Sequence, residues 1–352
     1  MYRVCLVVIA RDEAAHIQRL LHSLRPWVDE MLVLDTGSSD DTPALAQAAG
    51  ARVEHFVWCD DFAAARNTAL DLAAADWHVV LDADEWLISG GEALAALRQQ
   101  RPDFVGTIAL LDQFADTASG GRTQQAISRL SRILPGALRY AGRVHEQVLH
   151  GLALRPLALR IGHDGYLPEH LQRKRGRNQA LLRQELAHRP GDAYLWYQTG
   201  KDASVYEDYA EAESCFACAA ELTELPHAWW TDLVARRLFG LKQLKQHEAG
   251  IQFAETQLQI CAESPDFFFT LGDLLLDFAA DQPAQAELLL PTIEDAWRRC
   301  LELGERPEQS GAVAGRGSFS AAHNLALLLE GTGRAPEAQA LRQAFGLQAP
   351  AA

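Results

Sequence analysis

The chain has 352 residues, 48% of them hydrophobic and 22% charged, the balance of an ordinary globular protein with room for about two or three domains. A formal net charge of −15 repels a polyphosphate over most of the surface, which excludes sequence-independent nucleic-acid binding and requires any anionic ligand to be held by a local site. No run approaches the roughly 18 uninterrupted apolar residues that span a bilayer, and six scattered cysteines in a chain that opens on a strand-like run, without a basic-then-apolar leader, point to the reducing cytoplasm.

From Val4 to Leu81, β-branched runs alternate with segments of helical period. Residues 4–9 read as a strand, and Ile17, Leu20, Leu21 and Leu24 then share one face of a helix. Residues 31–34, 53–57 and 77–81 read as further strands, separated by helices over 42–49 and 62–75. This alternation implies βαβ units and a mostly parallel sheet. Ligands of such sheets gather beyond the carboxyl ends of the strands. Arg11–Glu13, Asp35–Asp40 and Asp82–Glu85 follow the first, second and fourth strands, so three polar loops are expected to meet at one crevice. Two apolar runs, 105–111 and 127–134, flank Gly120-Gly121 and read as strands and loops that complete the site.

After Pro168, a basic segment with Arg173, Lys174, Arg175 and Arg177 carries Leu171, Leu181, Leu182 and Leu186 at helical spacing. It reads as a linking helix over 169–191, broken by Arg189-Pro190-Gly191-Asp192, between an α/β domain over 1–168 and a helical domain over 192–352. The helical part fits the tetratricopeptide template best at Trp196 and Gly200, with Ala212, Phe216 and Ala219 on the second helix, although position 203, a template tyrosine, is Ala. Phe268 with Gly272 and Ala284, and Leu325-Ala326 with Ala338, read as weaker copies. A lone helix pair cannot bury both faces, so a small stack is expected, open to a protein partner or to self-association. Cys215 and Cys218 suit small buried side chains on a helix, since no second pair follows at zinc-site spacing.

Asp82-Ala83-Asp84 at the end of a strand is expected to aim two carboxylates at one point, and such hard oxygen ligands suit Mg²⁺ or Mn²⁺, which bind nucleotide diphosphates. Ala10-Arg11-Asp12-Glu13-Ala14, the run from Val33 to Thr42, Phe62-Ala63-Ala64-Ala65-Arg66-Asn67 and Leu81-Asp82-Ala83-Asp84-Glu85 resemble, in order, the motifs of family-2 glycosyltransferases of the GT-A fold. Gly142-Arg143-Val144-His145-Glu146 and Ile161-Gly162-His163 are similar to a branch that includes lipopolysaccharide-core glucosyltransferases and peptide S-glycosyltransferases. The resemblance covers about residues 1–175.

The resemblance implies a metal-dependent, inverting hexosyltransferase that moves a sugar from a nucleotide diphosphate, a UDP-sugar by expectation, to a polypeptide or glycan. By it Asp35 recognises uracil, Arg11, Asp12 and Glu13 border the nucleoside, Arg66 holds the nucleotide, Asp82 faces the ribose and Asp84 binds the metal, with His163 as a further ligand. Thr36 stands where many relatives carry a second Asp. Inverting transfer needs a base for the acceptor proton, and Glu146 is the candidate, the alternative being that it orients nearby Arg143 or the metal site, with Asp164 and Asp112 in reserve. Lys174 or Arg177 are candidates to close over the diphosphate. Two other readings compete: a nucleotidyltransferase, which ordinarily opens with a glycine-rich loop that Ala10–Glu13 is not, and a helical scaffold with an inert α/β half. Structural roles compete as well, since Glu13 suits a helix N-terminus, Gly37–Asp40 a turn and cap, and Asn67 a solvated face.

Overall fold

The computed structural model describes residues 1–116, 122–163, 176–224 and 227–347, without the side chains of 112–116, 122–126 and 177. Gly120-Gly121, Asp164, Pro168, Leu171, Arg173, Lys174 and Arg175, and the side chains of Asp112 and Arg177, lie outside the described residues. The chain divides into two compact units, Met1–Leu181 and Leu182–Ala352.

The first unit runs β1 (Val4–Ala10), α1 (Ile17–Leu24), β2 (Glu30–Asp35), α2 (Thr42–Ala48), β3 (Arg52–His55), α3 (Phe62–Ala73), β4 (Trp77–Asp82), β5 (Glu85–Ser89), α4 (Gly91–Ala96), β6 (Phe104–Asp116), β7 (Arg122–Pro135), β8 (Tyr140–Ala141), β9 (Gln147–Val148) and β10 (Ala153–His163). The main sheet is ordered β3-β2-β1-β4-β7-β6-β10-β5. Its first four strands are parallel, as the alternation implied. β7 then runs antiparallel to both β4 and β6, β10 parallel to β6, and β5 antiparallel to β10. The sheet is therefore mixed.

β1 is covered on both faces: Val4, Leu6 and Val8 join one core, Cys5 and Val7 the other. That is why it reads as an unbroken apolar run with no alternation. Ile17, Leu20, Leu21 and Leu24 of α1 are fully buried in the first core, each contributing about 1.5–3 kcal/mol by burial. On the other face, Ala65, Ala69 and Ala73 let α3 lie close to the sheet. α3 begins at Asp61, whose side chain accepts from Ala64 N–H, and ends at Ala74, left-handed at φ 45°. The helix therefore stops short of residue 75.

Register sets the site. Ala10 pairs with Asp35 and Ile9 with Asp82, so both acids stand at the carboxyl edge of the parallel strands. On the far side His163, the last residue of β10, lies opposite Glu85 at the start of β5. Of β5 the sequence reading placed only Glu85, at the end of a polar loop, and named no strand there. β5 becomes a strand by pairing with a distant segment, so no local pattern announced it.

The second unit is a stack of helices: α5 (Arg177–His188), within which the division falls, α6 (Ala193–Val205), α7 (Tyr209–Leu222), α8 (Trp230–Gln243), α9 (His247–Gln257), α10 (Pro265–Asp281), α11 (Pro283–Leu303), α12 (Phe319–Gly331) and α13 (Ala335–Ala344). One core runs through it from Tyr197 to Ala338. Small residues seat large ones: a Cβ on Gly200 would stand 2.6 Å from the Phe216 ring, one on Gly272 2.6 Å from Trp297 and one on Gly250 2.4 Å from Leu274. The pair α8/α9 had no counterpart in the sequence reading. Cys215 is buried, which pushes its thiol up to about 12 and keeps it protonated. Among the described residues no helix is long and apolar enough to cross a membrane.

Candidate functional site

Asp35 closes β2 with its side chain buried, and its carboxylate accepts the backbone N–H groups of Gly37 (3.2 Å) and Ser38 (3.2 Å). Gly37 adopts φ 102°, a left-handed conformation that glycine reaches without strain. His55 Nδ1 lies 3.4 Å from the same carboxylate. Asp35, Thr36, Gly37, His55, Phe56, Val57 and Trp58 line a cleft of ≈ 360 Å³, with Asp35 its buried acid and Phe56, Val57 and Trp58 its apolar members. Thr36 lines this cleft with both of its donors spent, since its N–H (2.9 Å) and hydroxyl (3.2 Å) donate to the Ala10 carbonyl.

The β1–α1 loop is stitched to this one. Asp12, at φ 56°, accepts Ser39 N–H (2.7 Å) and Ser39 Oγ–H (2.9 Å), and the Ser39 backbone bond first among these holds its carboxyl below the usual range. Glu13 N–H donates to Thr42 Oγ1 (2.8 Å), while its carboxylate meets His16 Nδ1 (2.8 Å) at the start of α1. Arg11 extends beside Asp12 at 3.9 Å. Asp12 and Glu13 thus hold in place the loop that carries Asp35.

Beyond Asp35 lies a chain of alternating charge. Glu146 pairs with Arg66 Nε, and Arg66 Nη2 reaches Asp82 (2.6 Å). Asp82 also receives Arg132 Nη2 (2.8 Å), which in turn lies 3.2 Å from Glu85. Glu85 is 1% exposed, and one of its oxygens accepts Asp82 N–H (2.9 Å). Burial opposes ionisation of Asp82, but the Arg132 and Arg66 guanidiniums outweigh it and hold its carboxyl well below the usual range. For Glu85 burial prevails, and the carboxyl is pushed up to about 7. Arg66, although buried, is held more firmly protonated than a free arginine by Asp82 and Glu146.

Arg132 was not singled out from the sequence. The only sign of it is a cation within the apolar run 127–134; its neighbour Ile133 is fully buried in the core, and the pairing of β7 with β4 carries the arginine to Asp82. Glu146, expected near Arg143, is committed to Arg66. Asn67 is also not a solvated group: it grips Tyr140 at both backbone positions, donating to the carbonyl (2.9 Å) and accepting the N–H (2.8 Å).

The two carboxylates of Asp82-Ala83-Asp84 meet different partners. Strand alternation would set them on one face, but Ala83 and Asp84 form a turn into β5. Asp82 turns to its arginines and Asp84, 7% exposed, turns to His163, whose Nε2 is 3.4 Å from Asp84 Oδ2. This second pair passes a test of fit for a divalent ion. Neighbouring ligands of an octahedral ion at about 2.1 Å stand roughly 3 Å apart, and a carboxylate with an imidazole suits Mn²⁺ or Mg²⁺ with other oxygens completing the shell. Among the described residues, the one group of three metal-ligand types drawn together is His247, Asp277 and Asp281 in the helical unit. There Lys245 Nζ already lies 2.9 and 3.1 Å from the two acids.

Residues 5–121 match the family described as Glycosyl transferase family 2. A TPR repeat-containing protein of Synechococcus elongatus is 40% identical over 220 residues, covering 57% of this chain and 52% of that protein. The SPbeta prophage-derived glycosyltransferase SunS of Bacillus subtilis is 24% identical over 213 residues, 58% of this chain and 50% of its own. The chain thus spans about half the length of the curated relatives it matches. Among solved structures, glucosyl-3-phosphoglycerate synthase from Mycobacterium tuberculosis aligns with TM-score 0.27 and 26% identity over 31% of this chain and 44% of its own. MamA from Desulfovibrio magneticus aligns with TM-score 0.37 and 17% identity over 50% and 89%.

Proposed function

Starting from an N-terminal unit that carries a Glycosyl transferase family 2 segment, we propose that this protein transfers a hexose with inversion from a UDP-sugar to a polypeptide or glycan acceptor. The observation that carries the reading is the meeting of Asp84 with His163 beside the Arg66–Asp82–Arg132 ion chain. Asp84 and His163 hold Mn²⁺ or Mg²⁺ in this reading, and such an ion supplies charge that steadies a departing diphosphate. Asp35 accepts the imide N–H of uracil in the cleft walled by Phe56 and Trp58. Arg11, Asp12 and Glu13 border the nucleoside. Arg66 steadies the nucleotide and Asp82 the ribose.

Glu146 takes the acceptor proton as the nucleophile attacks C1 from the face opposite the leaving group. One of its oxygens is fixed by Arg66, which orients the other for that task. The helical unit offers its surface to the polypeptide acceptor, to a protein partner or to a second copy. The reaction belongs in the cytoplasm, where nucleotide sugars are made.

The test is a screen of UDP- and GDP-sugars with mass spectrometry of the released nucleotide, run with Mn²⁺, with Mg²⁺ and with chelator. UDP release should require the metal and vanish in Asp84→Ala and His163→Ala with folding intact. Full turnover in excess chelator, or unchanged turnover in both variants, defeats the proposal.

A further inference from the structure

Among the buried polar atoms of the first unit that meet no hydrogen-bond partner among the described residues are Arg66 Nη1 and Tyr140 Oη, and these two belong to neighbours. Arg66 is 6% exposed and Tyr140 9%. The Arg66 guanidinium carbon lies 5.6 Å from the centre of the Tyr140 ring, within the range of a cation–π contact. Leaving such groups unmet costs about 1–3 kcal/mol each, and buried polar atoms nearly always find a partner. An unmet pair at a candidate site therefore calls for one.

The surroundings fix what kind. Glu146 and Asp82 hold Nε and Nη2 of Arg66, so the guanidinium cannot turn away, and Nη1 is its one nitrogen with no acceptor among the described residues. Asn67, next to Arg66 on α3, holds the backbone of Tyr140 by two hydrogen bonds, so the phenol is fixed as well. Burial pushes the phenol above its ordinary value, so it keeps its proton and can donate. Two fixed donors, one on a cation, call for an acceptor oxygen, best an anionic one, because charge-assisted bonds are the stronger.

We infer that Arg66 Nη1 and Tyr140 Oη form a two-donor recess for a terminal phosphate oxygen of the donor nucleoside diphosphate. This rests on the proposed donor reading and adds Tyr140, which no motif had pointed to, as a binding residue. Acids outnumber arginines around the recess, so the anion enters together with the divalent ion assigned to Asp84 and His163.

The experiment is calorimetric titration of the full chain and its Tyr140→Phe variant with UDP and with UMP, in Mn²⁺, alongside thermal melts. Phe keeps the ring and removes only the hydroxyl, so no hydrogen bond within the described residues is lost and the melting temperature should hold or rise. UDP affinity should fall about 10-fold, the worth of one charge-assisted site's second donor, while UMP affinity stays within about two-fold because it lacks the terminal phosphate. Unchanged UDP affinity overturns the inference and leaves the recess to water. An equal loss for UDP and UMP with a lower melting temperature overturns it too, by making the hydroxyl structural. If the unaltered protein binds neither nucleotide, the donor reading itself fails and the recess assignment with it.

Discussion

Arg132→Met removes the cation between Asp82 and Glu85 while keeping an unbranched stem of similar length. Asp82 retains Arg66, but Glu85, 1% exposed, loses the one arginine within ion-pair distance among the described residues. The Glu85 carboxyl already sits at about 7 with Arg132 in place, so without the arginine it takes up a proton at neutral pH, and the variant loses the ion-pair contacts without stranding a charge, at a cost of about 1–3 kcal/mol. For a unit of this size that corresponds to a drop in melting temperature of roughly 2–12 °C. Glu85→Gln alone removes the charge but keeps an acceptor for Asp82 N–H, and should cost less. Placed in the Arg132→Met background it replaces a carboxyl that is already neutral, so the double variant should cost little more than Arg132→Met alone and the two losses should not add. Urea unfolding of the four proteins at neutral pH, followed by a probe on the first unit, measures the cycle. Additive losses, or a cost below about 1 kcal/mol for Arg132→Met, refute the idea that the ion chain is held as a unit.

Three further outcomes follow from the same geometry. His78 is fully buried and neutral, with Nε2 accepting Ala75 N–H (3.3 Å), and burial pushes its ring down from 6.5 to about 4. The unfolded chain therefore binds the extra proton between these pH values, so stability is whole above 6.5 and falls by roughly 3 kcal/mol as pH drops to 4; His78→Gln should flatten that limb in urea titrations, and an unchanged slope assigns the acid sensitivity elsewhere. Asp35→Ala takes the acid from the cleft and frees two loop N–H groups, so UDP affinity should fall about 10-fold or more by calorimetry, whereas unchanged affinity removes that cleft from donor binding. Glu146→Gln keeps a hydrogen-bonding side chain beside Arg66 but lacks a basic oxygen, so transfer should drop on the order of 10²-fold with UDP affinity nearly constant; lost UDP binding instead makes Glu146 a donor-site residue acting through Arg66.

What the sequence made legible is what is encoded over a few neighbouring residues. β1 to β4 and α1 to α3 stand out because a central parallel strand buries both faces and α1 buries one stripe, Ile17, Leu20, Leu21 and Leu24, at helical spacing. The carboxyl-edge rule then located Asp35 and Asp82 without further help, since parallel register sets their strand ends level. β5 and the α8/α9 pair escaped for opposite reasons. β5 owes its existence to β10, a partner distant in sequence, and α8/α9 lacks the match of a first-helix glycine with a second-helix aromatic that Gly200 and Phe216 make in α6/α7, since Gly240 meets no such ring and Gly250 meets Leu274.

The site's chemistry was less legible than its location, and the cause is separation along the chain. The ion pairs Arg66–Glu146, Arg66–Asp82, Arg132–Asp82 and Arg132–Glu85 join residues 80, 16, 50 and 47 positions apart, wider than any motif window. Spacing suggested that Asp82 and Asp84 act together, yet the turn between them gives Asp82 to two arginines and Asp84 to His163. A short motif fixes which residue types arrive at a strand end; the strands that arrive from elsewhere decide which charges each one meets. β7 and the β8–β9 hairpin bring Arg132, Tyr140 and Glu146 to acids that the first half of the unit had already placed. The Asp-x-Asp spacing alone therefore leaves out Arg66 and Arg132, the arginines that determine how Asp82 is held.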